Sequence, residues 1–540
     1  MGMLYSEHGL ILLLFYINVY YHTTPSTARN AKRVAKREQK IYSEGKNPNM
    51  EEKMKKISSW KLQSIIILLL IMMCVAPMAV NPSMIGIRAS HKDQYEHLAE
   101  SFVEGHIDLQ YGYWDPKLFQ LENPYDYDER IGEGVFCQWD HAFYDNHYYM
   151  YFGVVPVLVL FLPFRMIFGV RFLTFLGTAV FTSLFIIGVF ELFRLMKEHI
   201  FTEMPEKTHL LMVTAVSLAA TWYAMDCPTI YCVAITSALC MEIWSMYFYV
   251  KAVWGSKQEA AAMKAAFLGA LFGALAFGCR PTIALGNLLA IPMFIVFLRK
   301  SRISLRFWRR ILFVISPYLV IGIGLMYYNY IRFGTPFEFG QAYQLTITDQ
   351  TAYGNMADNI SWAVIISSLK ENYFDWKGLC WNFPYFQFSG AFINFPIFIL
   401  SVAGLFVPVV RKQLRRRNML GLTIGMACMP VVITVLDAIW VPWLTERYRM
   451  DFYWIMGIGV FMVCGAWLAG MTEAGRKGFC RCINALCVYT MLICVLLYAI
   501  PYEDNITAKS PLWLIIAIMA AMSLWLLNIY RLTGKADEKC

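Results

Sequence analysis

Charged residues are scarce in this chain of 540 residues: Asp, Glu, Lys and Arg make up 16% of it, whereas 58% of the residues are hydrophobic and the mean hydropathy is +0.46. Such a composition excludes an ordinary soluble globular protein and is typical of a polytopic membrane protein. The sequence also has no Walker loop, no dinucleotide-binding fingerprint and no visible internal repeat. Nothing in it therefore predicts a soluble nucleotide-dependent enzyme.

Metal-ligand spacing is missing as well. The 14 cysteines follow no zinc-site pattern. Most of them lie inside apolar segments, where a free Cys behaves as a small hydrophobic residue. The sequence thus indicates neither a zinc site nor a disulfide framework.

Long apolar segments are what the sequence has in abundance. A segment of about 20 apolar residues crosses a bilayer, and about 12 segments of this chain approach that length. The predicted fold is therefore an all-α polytopic membrane protein with about 12 transmembrane helices and a large first external loop that carries surface-lying helices. The predicted spans are residues 62–80, 172–193, 209–225, 229–250, 264–279, 282–298, 311–328, 390–410, 418–436, 452–470, 482–500 and 511–530.

Clusters of Lys and Arg predict the orientation, because short basic loops stay on the cytoplasmic side of a membrane. All the clusters lie inside only if the apolar segment Tyr149–Phe168 does not cross the membrane, so this segment is predicted to be a helix on the outer surface. The net charge of +9 follows from these clusters and predicts no nucleic-acid partner. The clusters are Arg29–Lys61, Arg299–Arg310, Arg411–Arg417 and Arg476–Arg481.

The basic and apolar segments divide the chain into three regions. The short apolar segment at residues 9–21 is open to three interpretations: a signal-like segment, an additional span, or sequence upstream of a start at Met50 or Met54. The regions are a basic, partly disordered cytoplasmic segment at 1–61, a transmembrane module at 62–460 with external loops at 81–170 and 330–389, and C-terminal transmembrane helices at 461–540.

The first external loop is far longer than the roughly 2 to 8 residues that usually connect helices in a bundle, and it is rich in acidic and aromatic residues. Asp93 stands near the start of an amphipathic segment that suits a surface helix. Its carboxylate is either a first-turn acid that the helix dipole stabilises or a group with a chemical role. Further along, Asp140, His141 and Tyr149 offer hydrogen bonds and aromatic faces that suit a carbohydrate, although aromatic rings at an interface are also common membrane anchors.

Three arginines stand at the external ends of predicted spans: Arg280, Arg332 and Arg447. A cation at membrane depth is costly and usually faces a polar cavity or an anion. One interpretation is that each arginine pairs with a nearby acid, such as Glu338 or Asp451. The other is that the three arginines share a phosphate or pyrophosphate site, since guanidinium groups match phosphate geometry.

The order of these features along the chain resembles that of the C-type glycosyltransferases, multispanning membrane enzymes that include protein O-mannosyltransferases and lipid A aminoarabinose transferases. The resemblance covers residues 62–460, and its closer motifs are similar to those of a bacterial branch of the family. These motifs are Trp139-Asp-His-Ala142, Tyr148-Tyr-Met-Tyr-Phe-Gly153, Arg280-Pro281, Arg332-Phe-Gly-Thr-Pro336 and Arg447-Tyr448 with Asp451.

The resemblance implies an enzyme of the bacterial plasma membrane that moves a hexose or pentose from a polyprenyl-phosphate donor to a hydroxyl group of an extracytoplasmic glycan, lipid or protein. Asp93 matches the position of the family's catalytic acid and is expected to be the general base of a displacement with inversion. A leaving phosphate needs positive charge rather than a proton. The residues expected to bind substrate are Asp140, His141, Tyr149, Arg280, Arg332, Arg447 and Tyr448.

The family pattern also bears on metal binding. Many relatives carry two adjacent acids where this chain has Asp93 followed by Gln94. The parity of the predicted spans places Asp226 on the external side, where it is the other acid that could bind a metal ion together with Asp93. The sequence predicts no certain cofactor, and a divalent cation at these two acids is the alternative.

A secondary transporter, or a flippase or polymerase of lipid-linked glycans, is the competing interpretation, because about 12 spans and buried charges also describe many carriers. Two observations disfavour a carrier: the halves of the chain show no repeat, and the polar groups cluster outside the spans rather than in their middle.

Overall fold

The computed structural model describes residues 48–80, 93–111, 115–298, 305–353, 360–376, 389–440 and 446–499, with 523, 525 and 526. The predicted segment at 9–21 lies outside these residues, as does almost all of the predicted span 511–530. Contacts divide the chain into two units, residues 1–65 and residues 66–540, and the site described below belongs to the second.

Helices account for nearly all of the regular structure. The first ones are α1 (Pro48–Val80), α2 (Gln94–Glu104), α3 (Tyr127–Gly132), α4 (Leu162–Phe168), α5 (Thr174–His199), α6 (Glu206–Asp226), α7 (Ile230–Val250), α8 (Glu259–Phe277), α9 (Pro281–Ala284) and α10 (Ala290–Leu298). They are followed by α11 (Leu305–Phe333), α12 (Trp362–Phe374), α13 (Ala391–Asn394), α14 (Ile399–Ala403), α15 (Pro408–Arg416), α16 (Leu420–Trp440), α17 (Met450–Gly470) and α18 (Glu473–Ala499). Two short strands, β1 (Ala142–Tyr144) and β2 (His147–Tyr149), form a hairpin.

The chain is an all-α polytopic membrane protein, as predicted. Within the described residues, 9 helices are long and apolar enough to cross a membrane, or up to 10 if one bent pair counts as a span. These nine coincide with nine of the predicted spans. Of the predicted segment 62–80, residues Gln63–Ala79 form an apolar helical stretch that falls just short of a full crossing.

The predicted span 390–410 is interrupted by a bend. The chain is helical from Pro396 to Phe406 and again from Pro408 to Arg416, but the two parts are bent by 81°. Proline lacks the N–H that would continue a helix, and its ring clashes with the preceding turn, so Pro408 begins a new helix in a new direction.

The middle of the bundle is built by α6 and α17, in which 94% and 89% of the membrane-length window is buried. Helix α7 packs against α5 and α8, and α6 packs against α17 and α18. In α11 only 11% of the window is buried, so this helix lies at the edge of the bundle with most of its apolar side chains exposed. Such an exposed apolar helix is stable where lipid replaces water.

The first loop contains the β1–β2 hairpin, which corrects the predicted start of the surface helix at Tyr149. The hairpin pairs Ala142 with Tyr149, and its turn holds Asp145 and Asn146 at positive φ. Asn and Asp tolerate this conformation and favour two-residue hairpin turns. The helical segment that follows, Val157–Phe168, is too short to cross a bilayer, which agrees with the prediction that it does not span.

The two predicted external loops meet at one end of the bundle. The backbone N–H groups of Asp140 and Phe143 donate to the carbonyls of Leu345 and Tyr343 at 3.0 and 2.9 Å, and the N–H of Leu345 donates to His141 at 2.9 Å. We call this end, with residues 93–111, 115–171 and 334–353, the loop end.

The cluster Arg411–Arg417 lies at the other end, which we call the basic end. The indole N–H of Trp254 donates to the carbonyl of Arg417 at 3.0 Å, and the Arg417 Nε donates to the carbonyl of Ile200 at 2.9 Å. Ile200 follows the C-terminus of α5, whose first residue, Thr174, contacts the first loop through Glu96. The separation agrees with the predicted parity of the spans, and which end faces the cytoplasm stays a prediction.

Candidate active site

A cavity of about 510 Å³ opens at the loop end. This volume suits a small organic ligand. Its walls come from segments that are far apart in the sequence, because the ends of α7, α8, α11, α16 and α17 meet the two loops here. The lining residues include Asp140, Tyr151, Tyr231, Arg280, Tyr328, Asn329, Arg332, Gln341, Gln344, Asp437, Trp440, Arg447 and Tyr448.

The cavity brings together five of the predicted site residues. The three arginines converge on it, as the interpretation of a shared anion site requires. The five residues are Asp140, Arg280, Arg332, Arg447 and Tyr448; the predicted residues His141, Tyr149 and Asp93 are not among those that line it.

Arg280 is held by an acid. Its Nε lies 2.9 Å from both carboxylate oxygens of Asp451, and the Thr282 hydroxyl donates to the same carboxylate at 2.5 Å. Asp451 is fully buried. A buried acid is strongly destabilising without such a partner, so Arg280 combines a structural ion pair with a position in the cavity wall.

Arg332 is buried, and its hydrogen-bond partners among the described residues are uncharged groups. Its Nη1 donates to the carbonyl of Met150 at 2.7 Å, and its Nη2 donates to Asn329 Oδ1 at 2.8 Å. The guanidinium also lies 3.9 Å from the ring centroid of Tyr328, a cation–π distance. In the described part of the chain no carboxylate, Glu338 included, forms an ion pair with Arg332. The charge of Glu338 acts on Arg332 from a greater distance.

Arg447 is held by aromatic rings. Its guanidinium carbon lies 4.1 Å from the ring centroid of Tyr231 and 5.6 Å from that of Tyr448. Among the described residues, no hydrogen-bond acceptor or ion-pair partner contacts this guanidinium. An arginine has five N–H donors, and in this one they remain available to a ligand in the cavity.

Asp140 brings a carboxylate to the same cavity, and its charge acts on Arg447. Its backbone has a φ of 57°, the left-handed region that a residue other than glycine rarely adopts. The conformation is fixed from both sides, because the Asp140 N–H donates to Leu345 and the Gln94 Nε2 donates to the Asp140 carbonyl at 2.8 Å. Backbone strain held in this way is often found at functional sites.

His141 and Tyr149 lie behind the cavity wall. His141 is fully buried, its Nδ1 is 2.8 Å from the carbonyl of Trp139, and its Nε2 is 2.6 Å from the Tyr111 hydroxyl. Tyr149 packs against Ala142 and Phe333. Both side chains support the loop that presents Asp140, and their predicted contact with substrate stays a prediction.

Asp93 immediately precedes α2, as predicted, but it faces other partners. Its carboxylate lies 3.1 Å from His97 Nε2 and 3.3 Å from Arg171 Nη1. Burial raises the pKa of Asp93, but the hydrogen bond from His97 and the charge of Arg171 outweigh it, so the net direction is below the usual value. Gln94, the next residue, contacts both the Asp140 carbonyl and the His141 ring. Asp93 thus lies next to residues that hold the cavity wall in place, and it is not among the residues that line the cavity.

Metal ligands are the remaining sequence prediction. Within the described ranges, no group of three or more His, Cys, Asp or Glu side chains is arranged to hold a metal ion. Asp226 lies at the end of α6, near Glu446 rather than Asp93. A divalent cation at Asp93 and Asp226 stays a prediction.

Sequence reasoning missed Asp437 and the glutamines of the second loop. Asp437 is an isolated acid inside the apolar segment of α16 and lines the cavity. An ionisable residue in a span usually marks a functional site, so this signal was present in the sequence. Gln341 and Gln344 carried no comparable signal, because glutamine is ordinary in a polar loop.

Comparison with known proteins finds similar solved structures. No family model matches the chain, and no curated protein sequence matches it. The oligosaccharyltransferase of Archaeoglobus fulgidus in its apo form is similar with a TM-score of 0.39 and 12% identity over 82% of this chain. The archaeal oligosaccharyltransferase AglB of that organism, in complex with an inhibitory peptide and a dolichol-phosphate, is similar with a TM-score of 0.41 and 12% identity over 83% of this chain. The chain spans 57% of the length of each of these proteins. At these scores the likeness carries no argument about function.

Proposed function

We propose that this protein is a membrane glycosyltransferase that moves a sugar from a polyprenyl-phosphate donor to an acceptor hydroxyl group on the extracytoplasmic side. The observation that carries the proposal is the convergence of three arginines on one cavity; among the described residues, Arg447 contacts aromatic rings without an ion-pair partner, and Arg332 donates to uncharged groups. Guanidinium groups without an ion-pair partner at the end of a span suit a phosphate.

The proposed reaction is a direct displacement with inversion. A carboxylate takes the proton of the acceptor hydroxyl, and the acceptor oxygen attacks the anomeric carbon of the donor. The bond from that carbon to the phosphate oxygen breaks, and its electron pair leaves with the polyprenyl phosphate. Arg447 and Arg332 stabilise the negative charge on that leaving group, so no proton donor is needed.

Two carboxylates are candidates for the general base. The resemblance to C-type glycosyltransferases supports Asp93, whose lowered pKa keeps it ionised at neutral pH. The cavity supports Asp140, which lines it beside Arg447. In either case the Gln94 contact links the two acids, because it joins α2 to the loop that presents Asp140.

The rest of the cavity suits a sugar. Tyr151, Tyr231 and Tyr448 present aromatic rings, and Gln341 and Gln344 present amide groups that can bind hydroxyls. Aromatic faces with a few polar groups are the usual composition of a small-molecule site.

The first test measures turnover by the purified full-length protein with a radiolabelled undecaprenyl-phosphate hexose in membrane vesicles, with the released undecaprenyl phosphate as the readout. We expect Arg447→Ala to lower the release rate about 10²- to 10³-fold, the usual effect of losing a group that stabilises developing charge.

The matched control is Arg449→Ala, which removes an arginine of the same turn that donates to Asn372 at 3.0 Å and is not among the residues that line the cavity. Equal loss in both variants would contradict a specific role for Arg447. Movement of the labelled lipid across the membrane without release of undecaprenyl phosphate would identify a flippase or carrier instead.

A further inference from the structure

Asp437 is a buried acid without a hydrogen-bond partner in the part of the chain that the structure describes. Its exposed fraction is 1%, and its Oδ1 is fully enclosed. Buried carboxyl groups are nearly always hydrogen-bonded, because a buried polar atom without a partner costs free energy. The residue lines the cavity, so the missing partner has a place to bind.

The neighbouring groups do not meet this need. Arg280, the cation that acts on Asp437, uses its Nε for both oxygens of Asp451. Along α16, the Thr434 hydroxyl donates to the carbonyl of Pro430 at 3.0 Å, and the Trp440 indole N–H donates to Gln341. Arg280 is therefore close to two acids but donates to Asp451, and Asp437 receives no hydrogen bond from the described residues.

We propose that Asp437 binds substrate: its carboxyl accepts a hydrogen bond from an O–H or N–H group of the sugar. This defines a sugar subsite beside Arg280 that is separate from the phosphate subsite at Arg447 and Arg332. That the ligand is a sugar-bearing lipid rests on the proposed function. The observation that the Asp437 carboxyl has no hydrogen-bond partner among the described residues does not depend on it.

A structural role for Asp437 makes the opposite prediction for stability. If the carboxyl holds the fold together, replacing it lowers the melting temperature. If it is kept for a ligand, Asp437→Leu removes an unsatisfied group from an apolar helix, and the ligand-free protein is equally stable or more stable.

The experiment compares two lipids in binding assays with the full-length protein: undecaprenyl phosphate and an undecaprenyl-phosphate hexose. We expect Asp437→Leu to weaken binding of the sugar-bearing lipid about 5- to 100-fold, the usual cost of leaving a buried hydrogen-bonding group without its partner, and Asp437→Asn, which keeps an acceptor oxygen, to weaken it less. Binding of undecaprenyl phosphate alone should change less than about twofold, because the phosphate subsite is intact. Arg447→Ala should weaken both lipids.

The control is Thr434→Val, one turn earlier on the same helix, which removes a hydroxyl that is not among the cavity-lining groups. A lower melting temperature in both Asp437 variants, or unchanged affinity for the sugar-bearing lipid, overturns the inference while leaving the proposed function standing. If the wild-type protein binds neither lipid, both the proposed function and the sugar subsite are wrong.

Discussion

The arginines at the two ends of the bundle differ in what surrounds them. At the basic end, Arg411, Arg415 and Arg416 are exposed, and Arg417 lies 3.5 Å from Glu203. At the loop end, Arg332 is 5% exposed, and Arg447 is half-buried against the ring of Tyr231. The first group is solvated or paired with an acid, whereas the second is enclosed in a cavity.

The arginines at the two ends of the bundle therefore have different roles. An exposed arginine costs little to maintain, so its position follows from membrane topology. A guanidinium enclosed at the end of a span is costly unless rings, carbonyls or a bound anion compensate for it. The arginines at the loop end therefore require a functional explanation, and those at the basic end do not.

The largest effect expected from this comparison is on catalysis at the loop end. We expect replacement of the catalytic base by its isosteric amide to lower the rate of sugar transfer about 10²- to 10⁴-fold, the usual range for general base catalysis. Asp140→Asn keeps a residue that tolerates the left-handed backbone, and Asp93→Asn keeps the start of α2. Measuring turnover of both variants identifies the base. Full turnover in both would remove these acids from the mechanism.

The pKa of Asp93 adds a second criterion for this choice. Its folded-state pKa lies below 3.8, so the acid is ionised at neutral pH. If Asp93 is the base, the acidic limb of the rate profile falls below that value; a limb well above it argues against Asp93 as the base. Because the folded-state pKa of Asp93 is lowered, any contribution of its ionised carboxylate to stability is present above pH 3.8. That contribution is lost as the pH falls through the folded-state pKa.

The next largest effect is on stability. Arg280→Ala leaves Asp451 buried without its partner, and we expect the free energy of unfolding to fall by about 3 to 5 kcal/mol. Adding Asp451→Asn should recover part of the loss, because the uncompensated charge is then removed. Unfolding of the single and double variants in detergent measures both changes, and an unaffected single variant would show that the pair is dispensable.

A smaller effect comes from backbone strain. Asp140→Gly should increase the free energy of unfolding by about 1 kcal/mol, because glycine adopts a positive φ without steric cost. The same variant should lose transfer activity if the carboxylate matters. Lower stability together with lost activity would mean that the Asp140 side chain holds the loop in place.

The smallest effect is expected at the basic end. Arg416→Ala should change the free energy of unfolding by less than about 0.5 kcal/mol and leave turnover unchanged, because the side chain is exposed. A large loss of turnover in this variant would break the contrast between the two ends.

The sequence predicted the helical fold and the position of Arg280, Arg332 and Arg447 at one end of the spans, because apolar length and the parity of basic loops depend on local composition. It did not predict whether an arginine pairs with an acid. Arg280 does pair with Asp451, 171 residues away, whereas Arg447 has no such partner in the described ranges. Such contacts depend on packing between distant helices, which a single sequence does not show.

The hairpin and the bend have local causes. The hairpin at Tyr149 is only three residue pairs long, too short for an alternation of polar and apolar residues to indicate a strand. The bend before α15 follows from Pro408, whose effect on direction is visible only when the helices on both sides are placed. Asp437 was overlooked because the hydropathy of its span outweighed the single acid within it.

We propose that the enclosed arginines bind the phosphate of a lipid-linked donor, and an experimental structure of the full-length protein with undecaprenyl phosphate bound tests this most directly. We expect phosphate oxygens about 3 Å from the guanidinium nitrogens of Arg447 or Arg332. A phosphate bound instead among Arg411, Arg415 and Arg416, with the cavity at the loop end unoccupied, would contradict it.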